Sequence, residues 1–130
     1  MKKKKYLIIF EPVYRNKLNV FLNYSFEELN KFFKKRGYGL LDEKFKQDGG
    51  VCFIQFREGQ VPCFTIWIQN FKWTLGGQAT LLHELSHYIF AVMNYKGIPI
   101  NNAETDANET YAYLLEYFFY ELSRRISKFN

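Results

Sequence analysis

The segment LLHELSHYIF, residues 81–90, constrains what this chain can fold into more than any other stretch. It contains His83, Glu84 and His87, and the chain has only two histidines, both of them here. On an α-helix, side chains four positions apart lie on one face, so both imidazoles would point the same way beside the carboxylate. Two convergent neutral imidazoles make half of a zinc site. The segment therefore predicts a helix bearing a zinc site, and two histidines that only decorate a helix surface are the alternative.

The same spacing indicates what chemistry such a site would perform. Zinc lowers the pKa of its water ligand, and a neighbouring carboxylate such as Glu84 can take the proton as a general base. Catalytic zinc usually has three protein ligands. The chain has no third histidine, and neither cysteine lies near the motif in sequence. The third ligand is therefore expected to be a carboxylate, and the segment after the motif offers Glu104, Asp106 and Glu109.

The chain shares three features with a known family: HELSH, a glycine ten residues beyond His87, and NETYAYLLEYF at residues 108–118. In these features it resembles small phage-type zincin-like metallopeptidases, which carry a D/N-E-x-x-A-Y-L signature after an HExxH helix. The opening stretch, residues 8–32, is similar to the N-terminal half of those proteins. The resemblance implies a zincin-like domain with zinc as its cofactor, a peptide or protein as its substrate, and Glu109 as its third ligand.

A more distant similarity implies a different third ligand. The chain is also similar to gluzincins and to the metallopeptidases that cleave phage repressors, whose E-x-x-A-N pattern begins here at Glu104. Helical periodicity favours Glu104 as well, because it shares a face with Ala107 and Tyr111 whereas Glu109 points away. We expect Glu109 on the closer sequence match, with Glu104 as the rival. Asp106 is a candidate to orient a ligand imidazole. A solvated, acidic helix N-terminus is the alternative for all three carboxylates.

Peptide hydrolysis would also require a hydrogen-bond donor for the oxyanion. Tyr111 and Tyr113, on the same predicted helix as the third ligand, are the candidate catalytic residues for this role. In zincins the strand before the motif forms a rim on which an extended peptide pairs, so the resemblance places that rim at residues 63–70. The alternative function is a non-catalytic binding or regulatory protein on a zincin fold, of phage origin. A protein of that kind has no need for the Glu84 base.

The order of hydrophobic patterns indicates a single α+β domain over residues 1–130. We expect a small, mostly antiparallel sheet packed against the motif helix and a long C-terminal helix. Ser25 and Glu28 form a capping box, and residues 48–50 are a turn signal. The predicted elements are a strand over 5–10 buried on both faces, a helix over 26–36, hairpin strands over 51–57 and 63–69, the motif helix over 78–96 and the last helix over 102–127. The predicted buried stripe of the motif helix is Leu82, Leu85, Ile89 and Val92.

The two cysteines lie in the predicted hairpin. If the hairpin turns near Gly59, Cys52 lies opposite Ile66 and Cys63 lies opposite Gln55. Strand side chains alternate between faces, so the two sulfurs would point to opposite sides of the sheet. We therefore expect free thiols rather than a disulfide.

Charge and composition narrow the choice of partners. The net charge of +5 comes largely from basic clusters at residues 2–5 and 34–36, and no signature of a nucleic-acid module or a helix-turn-helix accompanies them. Nucleic-acid binding is not expected. The apolar run at residues 6–10 is too short for a signal peptide or a membrane span, so we expect a cytoplasmic protein with no membrane association. Aromatic residues crowd the last helix and indicate a homo-oligomer formed through it.

Overall fold

The structure of the protein is a computed structural model that describes residues 3–56, 59–98 and 105–128, with side chains from residue 108 onward in the last range. The elements in chain order are β1 (Lys5–Glu11), β2 (Asn16–Leu22), α1 (Phe26–Lys35), a 3₁₀ turn (Glu43–Gln47), β3 (Gly50–Gln55), β4 (Cys63–Ile68), α2 (Leu75–Tyr95) and α3 (Thr105–Ser127). One sheet with helices packed on it confirms the predicted α+β class.

The four strands form one mixed sheet in the order β1-β2-β4-β3. β1 pairs antiparallel with β2, and β3 pairs antiparallel with β4, while the central strands β2 and β4 run parallel. Parallel neighbours need a long crossover, which here passes through α1 and β3. The sheet is therefore mostly antiparallel, as predicted, and β1 and β3 are its two edge strands.

Helices cover both faces of this sheet. On one face, α2 and α3 pack over a core that includes Ile66, Leu85 and Phe118, all fully buried. On the other face, Leu29 of α1 packs in a second cluster that includes Trp67 of β4, and both of these side chains are also fully buried. The motif helix and the C-terminal helix thus share one layer, which is the arrangement needed for α3 to approach the motif.

The prediction that β1 is buried on both faces is wrong. Ile9 is fully buried, but Ile8 is 43% exposed and Phe10 is 55% exposed. A short apolar run does not distinguish an edge strand from a central one, and α1 reaches only the beginning of β1. Side chains of α3 cover the outer edge of the strand instead. The Arg125 guanidinium donates to the Ile8 carbonyl at 2.8 Å, and the Tyr117 hydroxyl donates to the Phe10 carbonyl at 2.9 Å.

Two local predictions are confirmed. The Ser25 hydroxyl accepts a hydrogen bond from the Glu28 amide, and the Glu28 carboxylate accepts one from the Ser25 amide, each at 3.1 Å. This capping box begins α1 where the sequence predicted it. The register of β3 against β4 is also the predicted one, with Cys52 opposite Ile66, and both cysteines are free thiols.

The motif helix α2 begins earlier than predicted. Thr74 caps it by accepting a hydrogen bond from the Gly77 amide at 3.2 Å, so Gly76 and Gly77 lie inside the first turn rather than before it. Gly77 approaches the preceding loop so closely that a Cβ would lie 1.8 Å from the Lys72 carbonyl oxygen. Glycine at this position therefore allows the chain to turn sharply from the sheet into α2.

The buried face of α2 is rotated from the predicted stripe. Three of its four residues are buried as predicted, but Leu82 is 36% exposed and the fully buried Leu81 takes its place. The difference arises because the stripe that faces the sheet also includes Glu84, a polar residue that a hydrophobic pattern leaves out. The motif carboxylate consequently lies on the buried side of the helix, with both histidines on its exposed flank.

Replacing Gly77 with alanine is expected to destabilise the fold by about 1–3 kcal/mol, the usual range for overpacking. The added Cβ would meet a backbone oxygen, that of Lys72, at 1.8 Å, and a backbone atom cannot rotate away. Gly76→Ala is the matched control, since its Cβ would approach only Thr74 Oγ1, at 3.9 Å. Urea unfolding measures both variants, and equal stabilities would contradict the observed start of α2.

Candidate metal centre

The two motif histidines have their rings turned toward each other on the exposed flank of α2. The Nε2 atoms of His83 and His87 lie 3.1 Å apart, and the ring centroids are 4.7 Å apart at an interplanar angle of 80°. Two nitrogens bound to one tetrahedral zinc ion lie about 3.3–3.4 Å apart, given Zn–N bonds of about 2.0–2.1 Å. The separation of the two imidazole nitrogens is therefore close to that of two nitrogens on one zinc ion, and it is also within the range of a hydrogen bond between the rings.

Glu84 lies beside this pair but on the buried side of the helix. Its side chain is 7% exposed, and its Oε1 atom lies 3.9 Å from His83 Nε2. Among the residues that the structure describes, no group donates a hydrogen bond to this carboxylate. Burial raises the pKa of the Glu84 carboxyl, the nearby His83 and His87 act in the opposite direction, and Asp48 adds to the rise. The carboxyl thus holds its proton more tightly than an ordinary glutamate does.

The contact between Glu84 and the sheet depends on Gly50, the first residue of β3. A Cβ at Gly50 would lie 3.2 Å from Glu84 Cγ and 3.2 Å from Thr80 Cγ2, closer than side chains normally pack. The missing side chain lets the edge strand lie directly against α2 at the level of the motif. Glycine inside a strand often marks such a close approach.

A cleft of about 580 Å³ opens between β3 and α2 in front of the histidines. Its walls are Asp48, the strand from Gly50 to Ile54, and Ala91 together with the three motif residues on α2. The prediction that the strand at residues 63–70 forms the rim is wrong, because β4 is paired on both sides, with β2 and with β3. The rim is β3, which lies between β4 and the cleft.

The outer edge of β3 is open where that of β1 is covered. Within the described part of the chain, no side chain hydrogen-bonds to the backbone of β3, whereas Arg125 and Tyr117 both bond to β1. Proteins usually protect an edge strand against pairing with other chains. The edge strand that lies beside the histidine pair is thus the one without such side-chain bonds within the described residues.

The structure brings no third ligand to the imidazole pair among its described residues. Within them, no group of three or more His, Cys, Asp or Glu side chains is placed to hold a metal ion. Glu109 lies on the exposed side of α3. The rival Glu104 falls outside the described residues, and Asp106 lies in α3 with its side chain outside them. The predicted carboxylate ligand, Glu109 or Glu104, stays a prediction.

The two candidate tyrosines are engaged away from the cleft. The Tyr113 hydroxyl donates to the buried Glu11 carboxylate at 2.9 Å, and burial together with this bond raises the pKa of Tyr113 to about 12. The Tyr111 hydroxyl donates to Ser86 Oγ at 3.4 Å, and its ring stacks on Phe90. Ser86 immediately precedes the second motif histidine, so Tyr111 is the nearer of the two to the site along α2.

Two walls of the cleft were not predicted. Residues 48–50 were interpreted as a turn alone, and Cys52 as a buried thiol of the hairpin. In the structure both Gly50 and Cys52 line the cleft beside the motif. Burial raises the pKa of the Cys52 thiol to about 12, and the Glu84 carboxylate adds to the rise. The paired glycines at the start of a strand were the one available signal, since glycine there often marks a close approach.

Comparison with models of known protein families, with curated proteins and with solved structures finds no match for this chain. The resemblance to zincin-like metallopeptidases therefore stays a prediction that stands on the motif and its geometry. None of the helices in the described ranges combines the length and the apolar character that crossing a membrane requires.

Replacing Glu84 with glutamine is expected to stabilise the metal-free protein at high pH. Because folding raises the pKa of Glu84, ionisation of its carboxyl disfavours the folded state. The free energy of unfolding therefore falls as pH rises from the pKa of Glu84 in the unfolded chain to its higher pKa in the folded protein. With a metal chelator in the buffer, the free energy of unfolding of Glu84→Gln should exceed that of the wild type at about pH 8. This difference should shrink as the pH is lowered toward about 4. Glu116→Gln, on the exposed face of α3, is the control. A Glu84→Gln difference that does not change with pH would contradict the burial of this carboxyl.

Proposed function

We propose that the protein is a zinc-dependent peptidase of the HExxH type. The observation that carries this proposal is a convergent pair of imidazole nitrogens, 3.1 Å apart, beside a glutamate that is 5% exposed. A helix that served only to pack would bury an apolar side chain at position 84, since a buried carboxylate without a hydrogen-bond donor costs stability. A buried base next to two convergent imidazoles is the arrangement that metal-assisted hydrolysis requires.

In this proposal His83 and His87 hold the metal and Glu84 is the general base. When bound, zinc supplies Lewis acidity and lowers the pKa of water in the site. The raised pKa of Glu84 suits it to accept a proton from the attacking water and then to deliver it to the leaving amine. Gly50 supports this role, because its lack of a side chain lets Glu84 lie between helix and strand.

The substrate in this proposal is an extended peptide segment paired with β3. Main-chain hydrogen bonds to an open strand edge hold any sequence, while side-chain pockets select among sequences. The cleft between β3 and α2 is bounded by Ile54 and Ala91, small or apolar groups that accept ordinary peptide side chains. An unfolded protein or a flexible segment is therefore the class of substrate that fits.

In this proposal the remaining parts of the site come from α3 or from the segment just before it. We propose Glu109 as the third ligand, with Glu104 as the rival and Asp106 as a partner for a ligand imidazole. Of the two tyrosines, Tyr111 is the better oxyanion donor, since it bonds to a residue adjacent to His87 while Tyr113 is bonded to Glu11.

The purified protein is expected to bind about one zinc ion per chain, and His83→Ala and His87→Ala should each weaken zinc binding by more than about a hundredfold. The physical reason is that each imidazole supplies one of the three protein ligands. Competition with a chromogenic chelator measures the affinity, and elemental analysis measures the content. Ser86→Ala, on the same helix, is the control and should bind zinc like the wild type. Retention of zinc by both histidine variants would exclude the site.

The same titration identifies the carboxylate ligand. Glu109→Ala and Glu104→Ala are compared with Glu116→Ala, which removes a carboxylate from the exposed face of α3. If only one of Glu109→Ala and Glu104→Ala loses zinc affinity, the residue replaced in that variant is the ligand. Wild-type affinity in both would contradict a carboxylate ligand from this part of the chain.

Glu84→Gln is expected to keep zinc and to lower peptide hydrolysis by about 10²–10⁴-fold, the usual contribution of a general base. Zinc-loaded protein is assayed on unfolded casein and on internally quenched peptides, with Glu116→Gln as the charge-matched control. If the zinc-loaded wild type cleaves none of these substrates, the peptidase proposal fails. A non-catalytic binding or regulatory protein on the same scaffold would then be the better description.

A further inference from the structure

A second hollow lies at the end of the sheet where β2 and β4 begin. It has a volume of about 310 Å³. Polar side chains line its interior, since Asn16 and Asn19 are each only 4% exposed. Aromatic rings form part of its wall, with the centroids of Phe64 and Tyr95 6.0 Å apart. We call this hollow the basal pocket, defined by Arg15, Lys17, Asn19, Phe64, Tyr95 and Lys96.

The basal pocket is positively charged. Arg15, Lys17 and Lys96 line it, and among the described residues no Asp or Glu does. Within the same part of the chain, none of these three cations forms an ion pair. Lys96 donates a hydrogen bond to the Tyr14 carbonyl, which holds its ammonium group near the turn that carries Arg15. Three cations without acidic partners around one concave surface attract an anion.

The backbone at Arg15 supports a functional role for this pocket. Arg15 has φ of 58°, in the left-handed region that favours glycine or asparagine. The turn that imposes this conformation is held by Glu11, whose carboxylate accepts hydrogen bonds from the Val13 amide at 2.5 Å and the Tyr14 amide at 2.9 Å. Backbone strain of this kind concentrates at functional positions. Arg15 thus places a long cationic side chain at a position where a smaller residue would fit the backbone better.

The basal pocket lies next to the cleft in front of the histidines along both β3–β4 and α2. Ile54 lines the cleft, and its partner across β3 and β4 is Phe64, which lines the pocket. On α2, Ala91 lines the cleft and Tyr95, one helical turn later, lines the pocket. From the midpoint of the histidine pair, at Leu85, to Tyr95 the helix rises about 15 Å, a distance that an extended peptide covers in about four or five residues.

We propose that the basal pocket is a subsite for an acidic residue of the peptide substrate, about four or five residues from the bond at the histidine pair. This proposal rests on the peptidase function proposed above. A carboxylate in the pocket would accept charge-assisted hydrogen bonds from Arg15 and Lys17. The aromatic wall would contact the apolar part of the same side chain and its neighbours. The protein would then prefer acidic segments of unfolded or flexible chains.

Peptide binding to zinc-loaded Glu84→Gln protein tests this preference without cleavage. Two fluorescein-labelled peptides of equal length are compared by fluorescence anisotropy, one with a Glu pair near each end and one with Gln in the same places. The Glu peptide is expected to bind about fivefold more tightly at low salt, and less so as salt screens the charges. Adding Arg15→Gly or Lys17→Gln should reduce the difference to less than about twofold.

Lys34→Gln is the matched control, because it removes one exposed cation from α1, outside the basal pocket, and should keep the full preference. Arg15→Gly should melt no lower than the wild type, because glycine adopts a positive φ without strain. Equal affinity for the two peptides, including no binding by either, overturns the proposal. So does a preference that survives both pocket substitutions. Free glutamate or phosphate that binds as tightly as the Glu peptide would reveal a small-anion site and also overturns it.

Failure of the peptidase proposal and failure of the subsite proposal give different results. If the zinc-loaded wild type cleaves neither peptide while the pocket variants still lose the preference for Glu, the pocket holds acidic peptides and the peptidase proposal fails. If the wild type cleaves both peptides at equal rates, the peptidase stands and the subsite is overturned.

Discussion

The contact between Glu84 and Gly50 joins the two parts of this protein on which everything else depends. Glu84 belongs to the helix that carries both histidines, and Gly50 begins the edge strand that faces them. Because a Cβ at Gly50 would lie 3.2 Å from Glu84 Cγ, helix and strand approach each other more closely here than a larger residue at position 50 would allow. This approach places the motif carboxyl against β3, and the cleft opens between that strand and α2.

The helix α2 meets two demands that oppose each other. It must bury an apolar face on the sheet, as Leu81 and Leu85 do, and it must also hold a carboxylate within reach of two solvent-exposed imidazoles. Glu84 satisfies the second demand at the expense of the first, because burial disfavours its charged form. Natural proteins depart from their own packing rules mostly at functional sites. The polar residue on the buried face of α2 is such a departure, and it coincides with the motif.

Short-range signals in the sequence predicted several local features, whereas the start and buried face of α2, the burial of β1 and the pairing of β2 with β4 were missed. The capping box at Ser25 and the pairing of Cys52 with Ile66 depend on residues close in the chain, and both were predicted. The strand order was not, because the parallel pairing of β2 with β4 joins segments separated by a helix and another strand. The rim was assigned to β4 because the resemblance placed it on the strand before the motif, whereas β4 is paired on both sides and β3 forms the edge. Predicting the histidine pair required only helical spacing, whereas predicting the role of Gly50 required knowledge of which strand lies beside α2.

The two edges of the sheet differ in a way that composition alone does not explain. The β1 edge is bonded by Arg125 and Tyr117 of α3, which protects it from pairing with another chain. The β3 edge has no such cover within the described residues, although it carries the partly exposed Ile54 and lies beside an open cleft. An uncovered strand edge is a hazard that proteins usually remove, and this one lies next to the imidazole pair. In the proposed function, a peptide paired with this edge lies beside the buried carboxyl of Glu84.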